Sequence, residues 1–216
     1  GLEVGASSSA VTPALGGYLA GYGHDRKSTA VYDDVFAKAV VVKEADNALA
    51  IVVIDCIGLL YNDVKRIREA VMMRMGNELL DPERIIVTST HTHAGPDVAG
   101  LWGGHMFSSG RDEAYIDRLI KLAAEQVVKA SNSLTPAIMT VGSAKLNLSW
   151  IKNISEPGLL DRTITSIRFE DTSGHSIASL TNFPCHPTVL GPDNHQVSSD
   201  YVGGFYQSMD LHHGGV

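Results

Sequence analysis

The sequence predicts an α/β (α+β) fold: a mixed β-sheet core with flanking helices, in one domain covering residues 1–216. Three observations carry this. Two pairs of strand-like runs are each separated by turn chemistry, two stretches repeat apolar residues at helical spacing, and no repeat, low-complexity tract or linker divides the chain. A composition of 44% hydrophobic residues with 21 glycines suits a compact interior of this kind.

The first pair is residues 36–42 and 49–54, rich in Val and Ile and joined by Glu44-Ala45-Asp46-Asn47, which reads as a hairpin. A helix follows with Asn62 or Asp63 as its N-cap, Val64, Ile67, Val71 and Met75 on one face, and Gly76 as its stop. Residues 84–90 read as a buried strand that delivers His91 and His93 at its end. A glycine-rich loop, 95–110, leads into a second amphipathic helix with Ile116, Leu119, Ile120, Ala123 and Val127 on its inner face. Residues 163–169 and 176–183 flank Asp171-Thr172-Ser173-Gly174, a second hairpin that runs into Pro184-Cys185-His186-Pro187. Residues 201–211 read as a helix, and 211–216 as a turn entering another strand, so the domain is expected to continue beyond Val216. The chain opens on Gly1 and shows no signal peptide, which leaves secretion open.

A formal net charge of −7 without a Lys/Arg cluster argues against nucleic acid or an anionic membrane as the main partner, because phosphates would be repelled. A small-molecule or neutral lipid substrate fits better. The longest apolar stretch, 48–60, is interrupted by Asp55 and is too short to cross a bilayer. Two cysteines, Cys56 and Cys185, make no disulfide framework, although one bridge stays open. The sequons at Asn147 and Asn153 carry little weight. There is no Gly-x-Ser-x-Gly elbow, P-loop or dinucleotide fingerprint, which lowers the case for serine hydrolases, NTPases and dehydrogenases.

His91 and His93 lie two apart, so on an extended segment both rings leave the same face and could meet one ion or one substrate. Nine histidines yield roughly 0.4 such triplets by chance, so spacing alone is weak and context has to carry the reading. The pair follows an apolar strand and precedes Ala94-Gly95-Pro96, small and rigid residues that let backbone approach a ligand. His186 also ends an apolar strand and precedes a proline. Catalytic zinc sites gather ligands from distant segments in this way, whereas structural sites use close-spaced ones. Exposed loop histidines remain the plain alternative. Asp55, on an otherwise apolar strand, needs a partner: either support for a metal-bound histidine or a structural hydrogen bond to loop amides. Asp97 and Asp200 are further carboxylate candidates, Asp200 equally as a helix N-cap. His24, His105, His195, His212 and His213 read as surface residues, and Cys185 beside His186 as a small buried residue and not a nucleophile.

At these residues the sequence resembles the neutral/alkaline, non-lysosomal ceramidase family, zinc-dependent amidases that cut the N-acyl bond of ceramide. The likeness runs in order through Val11-Thr12-Pro13 with Ala20-Gly21-Tyr22-Gly23, Ile54-Asp55 with Ile57-Gly58-Leu59, Thr90-His91-Thr92-His93-Ala94-Gly95-Pro96, Asn182-Phe183-Pro184-Cys185-His186-Pro187-Thr188, and Ser198-Ser199-Asp200-Tyr201-Val202-Gly203. The resemblance implies that His91 and His186 bind Zn2+, that His93 contacts the substrate carbonyl and stabilises the oxyanion, and that Gly21 lines the pocket with its backbone. It also implies two more zinc ligands, a glutamate and a tyrosine, from sequence beyond Val216, and a secreted or periplasmic location. Where the family usually has Asn-Arg, this chain reads Lys152-Asn153-Ile154, so the substrate-binding arginine that the resemblance implies is absent and Lys152 is only a candidate to replace it. The function expected is hydrolysis of a ceramide-like N-acyl lipid. A sugar- or peptidoglycan-derived amide or ester, and a non-catalytic binding module, stand as alternatives.

Overall fold

A computed structural model of the chain describes residues 1–146 and 149–216, so Asn147 of the first sequon falls outside the described residues. The strands are β1 (Leu2–Ala10), β2 (Ala30–Val31), β3 (Phe36–Glu44), β4 (Asn47–Ile54), β5 (Ile85–Ser89), β6 (Thr135–Lys145), β7 (Thr163–Asp171), β8 (Ser176–Asn182) and β9 (Gln196–Val197). The helices are α1 (Tyr61–Met75), α2 (Glu113–Asn132) and α3 (Tyr201–His212). Seven strands form one mixed sheet in the order β5-β4-β3-β1-β6-β7-β8, and β2 and β9 form a small parallel pair.

Both expected hairpins are present. β3 and β4 pair antiparallel from Glu44 with Asn47 to Ala37 with Ile54, and the turn is closed by Ala45 at φ 51°. In the β7–β8 turn, Asp171 Oδ1 accepts from the amides of Ser173 and His175, and Gly174 takes φ 85°. β5 pairs parallel with β4, and α1 makes the crossover between them. This one parallel pair matters for the site, because it puts the C-terminal ends of β4 and β5 side by side.

Period-two alternation in β3 and β4 turns Ala37, Ala39, Val41, Ala50, Val52 and Ile54 to one face. There they pack against Ile67 and Val71 of α1 and Ile116, Leu119, Ala123 and Val127 of α2 in the main core. Alanines on the sheet let the helices sit close. Gly5 of β1 goes further, since a Cβ there would collide with the Ala130 carbonyl of α2. On the other face Val4, Val40, Phe169 and Ala178 form a smaller cluster that draws β8 back toward β1. After α3 the chain turns through Gly214 and Gly215, both at positive φ, and Val216 bonds to β8: its amide donates to the Ile177 carbonyl, and its carbonyl accepts from the Ser179 amide.

One boundary differs from expectation. α1 begins at Tyr61 with Leu60 as an N-cap that makes no side-chain bond, so neither Asn62 nor Asp63 caps it. Asp63 is instead held by Arg111, whose Nη1 and Nη2 donate to its two carboxylate oxygens at 2.7 and 2.9 Å. Cys56 and Cys185 are both free, and no bridge joins them. Among the described residues no helix is long and apolar enough to cross a membrane.

Candidate metal centre

The chain leaves β4 through the turn Asp55-Cys56-Ile57 and leaves β5 through Thr90-His91-Thr92-His93. These two exits interlock. The Thr90 amide donates to the Ile54 carbonyl and the His91 amide to the Cys56 carbonyl. Crevices outside the carboxyl ends of adjacent strands are where open sheets place ligands. His91 lies past the end of β5 at φ 69°, a left-handed conformation uncommon for a residue with a side chain. The extended geometry expected for His91 and His93 is therefore absent, and the rings converge through a turn. His186 differs in the same way. β8 ends at Asn182, and His186 sits four residues further on in a loop tied to the first by a bond from the His93 amide to the Pro187 carbonyl.

Three imidazoles meet there. Ring centroids are 5.0 Å apart for His91 and His93, 4.7 Å for His91 and His186, and 4.6 Å for His93 and His186. One nitrogen of each lies within 4.8 Å of the others. His91 Nδ1 is 2.5 Å from the Ile57 carbonyl oxygen and His93 Nδ1 is 2.8 Å from that of Gly21. A carbonyl only accepts, so each Nδ1 carries a proton and each Nε2 is the nitrogen left to face an ion, the pattern that second hydrogen bonds impose on metal-binding histidines. His93 Nε2 lies 2.8 Å from His186 Nε2, a separation that needs a proton or a cation there. Burial, and then the neighbouring imidazoles, hold His93 below the usual imidazole range, and burial with His91 does the same for His186. Converging imidazole nitrogens whose outer Nδ1 atoms, on His91 and His93, are tied to carbonyls suit a borderline-soft divalent ion such as zinc. Among the described residues no carboxylate or thiol joins this group.

Gly21 is set directly against the centre. It takes φ 104°, and a Cβ on it would lie inside the His93 ring. Only glycine offers this carbonyl to His93 without a clash.

The three carboxylates read from the sequence do not touch the histidines. Asp55 is fully buried and accepts from the Phe36 amide (2.8 Å), Thr90 Oγ1 (3.0 Å), Ser199 Oγ (3.0 Å) and Tyr206 Oη (2.9 Å). It ties β3, the residue before His91, and α3 together. Burial pushes its carboxyl upward while the four donors pull the other way. Asp97 accepts from the amides of Ala99, Gly100, Leu101, Trp102 and Gly110 and so folds the glycine-rich loop around itself. Asp200 caps α3 through the Tyr201 amide and also accepts from Val189 and Leu190, holding the His186 loop to that helix.

Asn153 braces its own loop through Ser155, Glu156 and Leu159, while Lys152 and Ile154 are exposed. Cys185 is half-buried, and its carbonyl accepts from the Tyr201 hydroxyl. His24, His105, His195, His212 and His213 are exposed, as expected. Sequence reasoning missed Arg26 and Tyr22. Arg26 is buried behind His93, and the Tyr22 ring stands edge-on to the His93 ring at 5.1 Å. A lone Arg in Gly-His-Asp-Arg-Lys carries no periodic or spacing signal that could have revealed it.

Comparison with known proteins identifies the family. The family model described as neutral/alkaline non-lysosomal ceramidase, N-terminal, matches residues 2–211. Neutral ceramidase A of Dictyostelium discoideum is 25% identical over 219 residues, which cover 92% of this chain and 29% of that protein. The neutral ceramidase of Pseudomonas aeruginosa is 22% identical over 202 residues, covering 88% of this chain and 30% of that protein. The chain thus spans about three tenths of the length of these relatives. The crystal structure of the Pseudomonas aeruginosa neutral ceramidase superposes with a TM-score of 0.82 at 20% identity, over 98% of this chain and 36% of that one, which shows a shared fold. With the family model matching nearly its whole length, the chain belongs to the neutral/alkaline non-lysosomal ceramidase family, as the N-terminal portion of its fold.

Proposed function

We propose that this chain supplies the histidine part of a zinc centre that hydrolyses the N-acyl amide bond of a ceramide-like lipid, releasing a free amine and a fatty acid. The observation that carries the reading is the convergence of His91, His93 and His186, with two outward nitrogens tied to carbonyls. His91 and His186 are the ligands in this reading, and His93 faces the substrate. Two imidazoles leave a shell open, so the reading calls for further ligands, and the family resemblance implies that these are a glutamate and a tyrosine.

Zinc at such a site lowers the pKa of water toward about 7 and polarises an acyl carbonyl. The protein's own contribution falls to His93. With Nδ1–H given to the Gly21 carbonyl, its neutral ring presents the Nε2 lone pair and accepts the proton of the attacking water. The resulting imidazolium then has an Nε2–H to donate, first to the oxyanion and then to the leaving amine. In this reading, oxyanion stabilisation by His93 belongs to its protonated form.

Metal analysis and turnover of an N-acyl amide by the full-length protein test this. His91→Ala and His186→Ala are expected to lose zinc, and His93→Ala to keep zinc and lose turnover. Equal zinc retention in all three sinks the ligand assignment, and turnover confined to sugar- or peptidoglycan-derived amides replaces the substrate.

A further inference from the structure

Arg26 is 4% exposed, and among the described residues it joins none of the salt bridges. A buried guanidinium without a counter-ion is costly, so its other contacts must account for its presence. Nη1 donates to the Asn194 carbonyl at 3.0 Å, and Nη2 donates to the carbonyls of Ala20 at 2.6 Å and His93 at 2.5 Å. The guanidinium carbon lies 4.8 Å from the centre of the Tyr22 ring. That ring in turn meets the His93 ring. Nε is buried without a partner.

The placement of these acceptors is specific. Ala20 immediately precedes Gly21, whose carbonyl receives the His93 Nδ1 proton. One guanidinium therefore grips the backbone on both sides of the bond that orients the His93 ring, and through Tyr22 it also backs the ring itself. A planar fork fixes such acceptors relative to one another, whereas an ammonium on a flexible stem does not. Among the described residues no carboxylate pairs with this guanidinium, so its polar contacts there are the three backbone carbonyls.

We propose that Arg26 is a positioning residue for His93: its clamp on the Ala20 and His93 carbonyls, with Tyr22 packed between, sets the direction of the His93 ring. The effect on turnover rests on the hydrolase reading above, but the effect on the ring does not.

The test uses the full-length protein with Arg26→Met, Arg26→Lys and Tyr22→Leu. Nitrogen-15 NMR of the imidazoles, with His93 assigned through His93→Gln, reports the ring directly. Zinc content, kcat and KM report the site. The expected result is an altered or split His93 ring signal in Arg26→Met with His91 unchanged, zinc retained, kcat down by about 10- to 100-fold, and KM little changed. Arg26→Lys is expected to restore little of this, because the charge returns without the fork. Should Arg26→Met fail to fold, Tyr22→Leu removes the packing between guanidinium and imidazole without unburying a charge, and the same His93 shift is expected. An unchanged His93 signal in the folded variants, or full recovery of kcat by lysine, overturns the proposal. A wild-type protein without zinc or turnover defeats the hydrolase reading alone, and the NMR comparison still decides the role of Arg26.

Discussion

His93 Nδ1 donates to the Gly21 carbonyl at 2.8 Å, and Gly21 can present that carbonyl only because it has no side chain. Gly21→Ala faces two obstacles: φ 104° is strained for alanine, and the new methyl group would occupy the His93 ring. The ring must therefore turn away. The expected outcome is a fall in kcat of about 100-fold with zinc retained, measured by steady-state kinetics alongside metal analysis.

Asp97 organises residues 95–110 by accepting five backbone amides while only 2% exposed. Asp97→Asn replaces one acceptor oxygen with an NH2 group that faces amide donors. Charge-assisted bonds are lost and buried N–H groups go unpaired, so stability is expected to fall by about 3 kcal/mol. The urea unfolding midpoint measures this, and a shift equivalent to a few tenths of a kcal/mol would contradict the hub role.

The hairpins were legible because β-branched alternation and Asx-type turns are local signals, and the histidines because their residue type and their place after apolar runs survive without coordinates. Other features depend on contacts distant in sequence. β1 reads Leu-Glu-Val-Gly-Ala-Ser-Ser-Ser-Ala, with little strand propensity, and becomes a strand because β3 pairs with it along its whole length. β6, largely exposed and carrying Pro136 and Gly142, is likewise defined by β7. The left-handed turn at His91 follows from bonds to Cys56 and Ile57, more than 30 residues upstream. Arg26 gains its meaning only when His93 and Asn194 come to it. Asp55 reads as a residue that needs a partner, and Asp97 and Asp200 as carboxylate candidates beside the histidines; all three are instead bonded to amides and hydroxyls, which sequence spacing does not announce.

Asp200 holds the His186 loop through the Val189 and Leu190 amides while its own backbone sits at φ 58° and ψ −144°. Asp200→Ala loses the acceptor and keeps the strained backbone, whereas Asp200→Gly loses the acceptor and relieves the strain. The glycine variant is expected to be more stable than the alanine variant by about 1 kcal/mol. Both are expected to weaken zinc binding by about 10-fold or more, because His186 is less firmly held. Chelator competition and thermal unfolding separate the two effects. Equal stability of the two variants would remove the strain argument.

Asp63 and Arg111 link the first turn of α1 to the start of α2, with side chains only 4% and 13% exposed. The Arg111 guanidinium, bonded to both oxygens, holds the Asp63 carboxyl below its usual range, with Arg66 adding to the effect. A carboxylate depressed in the folded state stabilises fully above the unfolded value, about 3.9, and loses that contribution as pH falls through the lower folded value. Protons bind the unfolded chain first, so acid drains the stabilisation. Arg111→Met leaves Asp63 buried with only the partly exposed Arg66 at 3.4 Å, and is expected to cost about 3 kcal/mol at pH 7. Asp63→Asn is expected to flatten the acid limb of the stability curve relative to the parent protein. Denaturant midpoints at pH 7, 4 and 2.5 show this directly, and parallel curves for parent and variant would mean that the pair contributes nothing to the pH dependence.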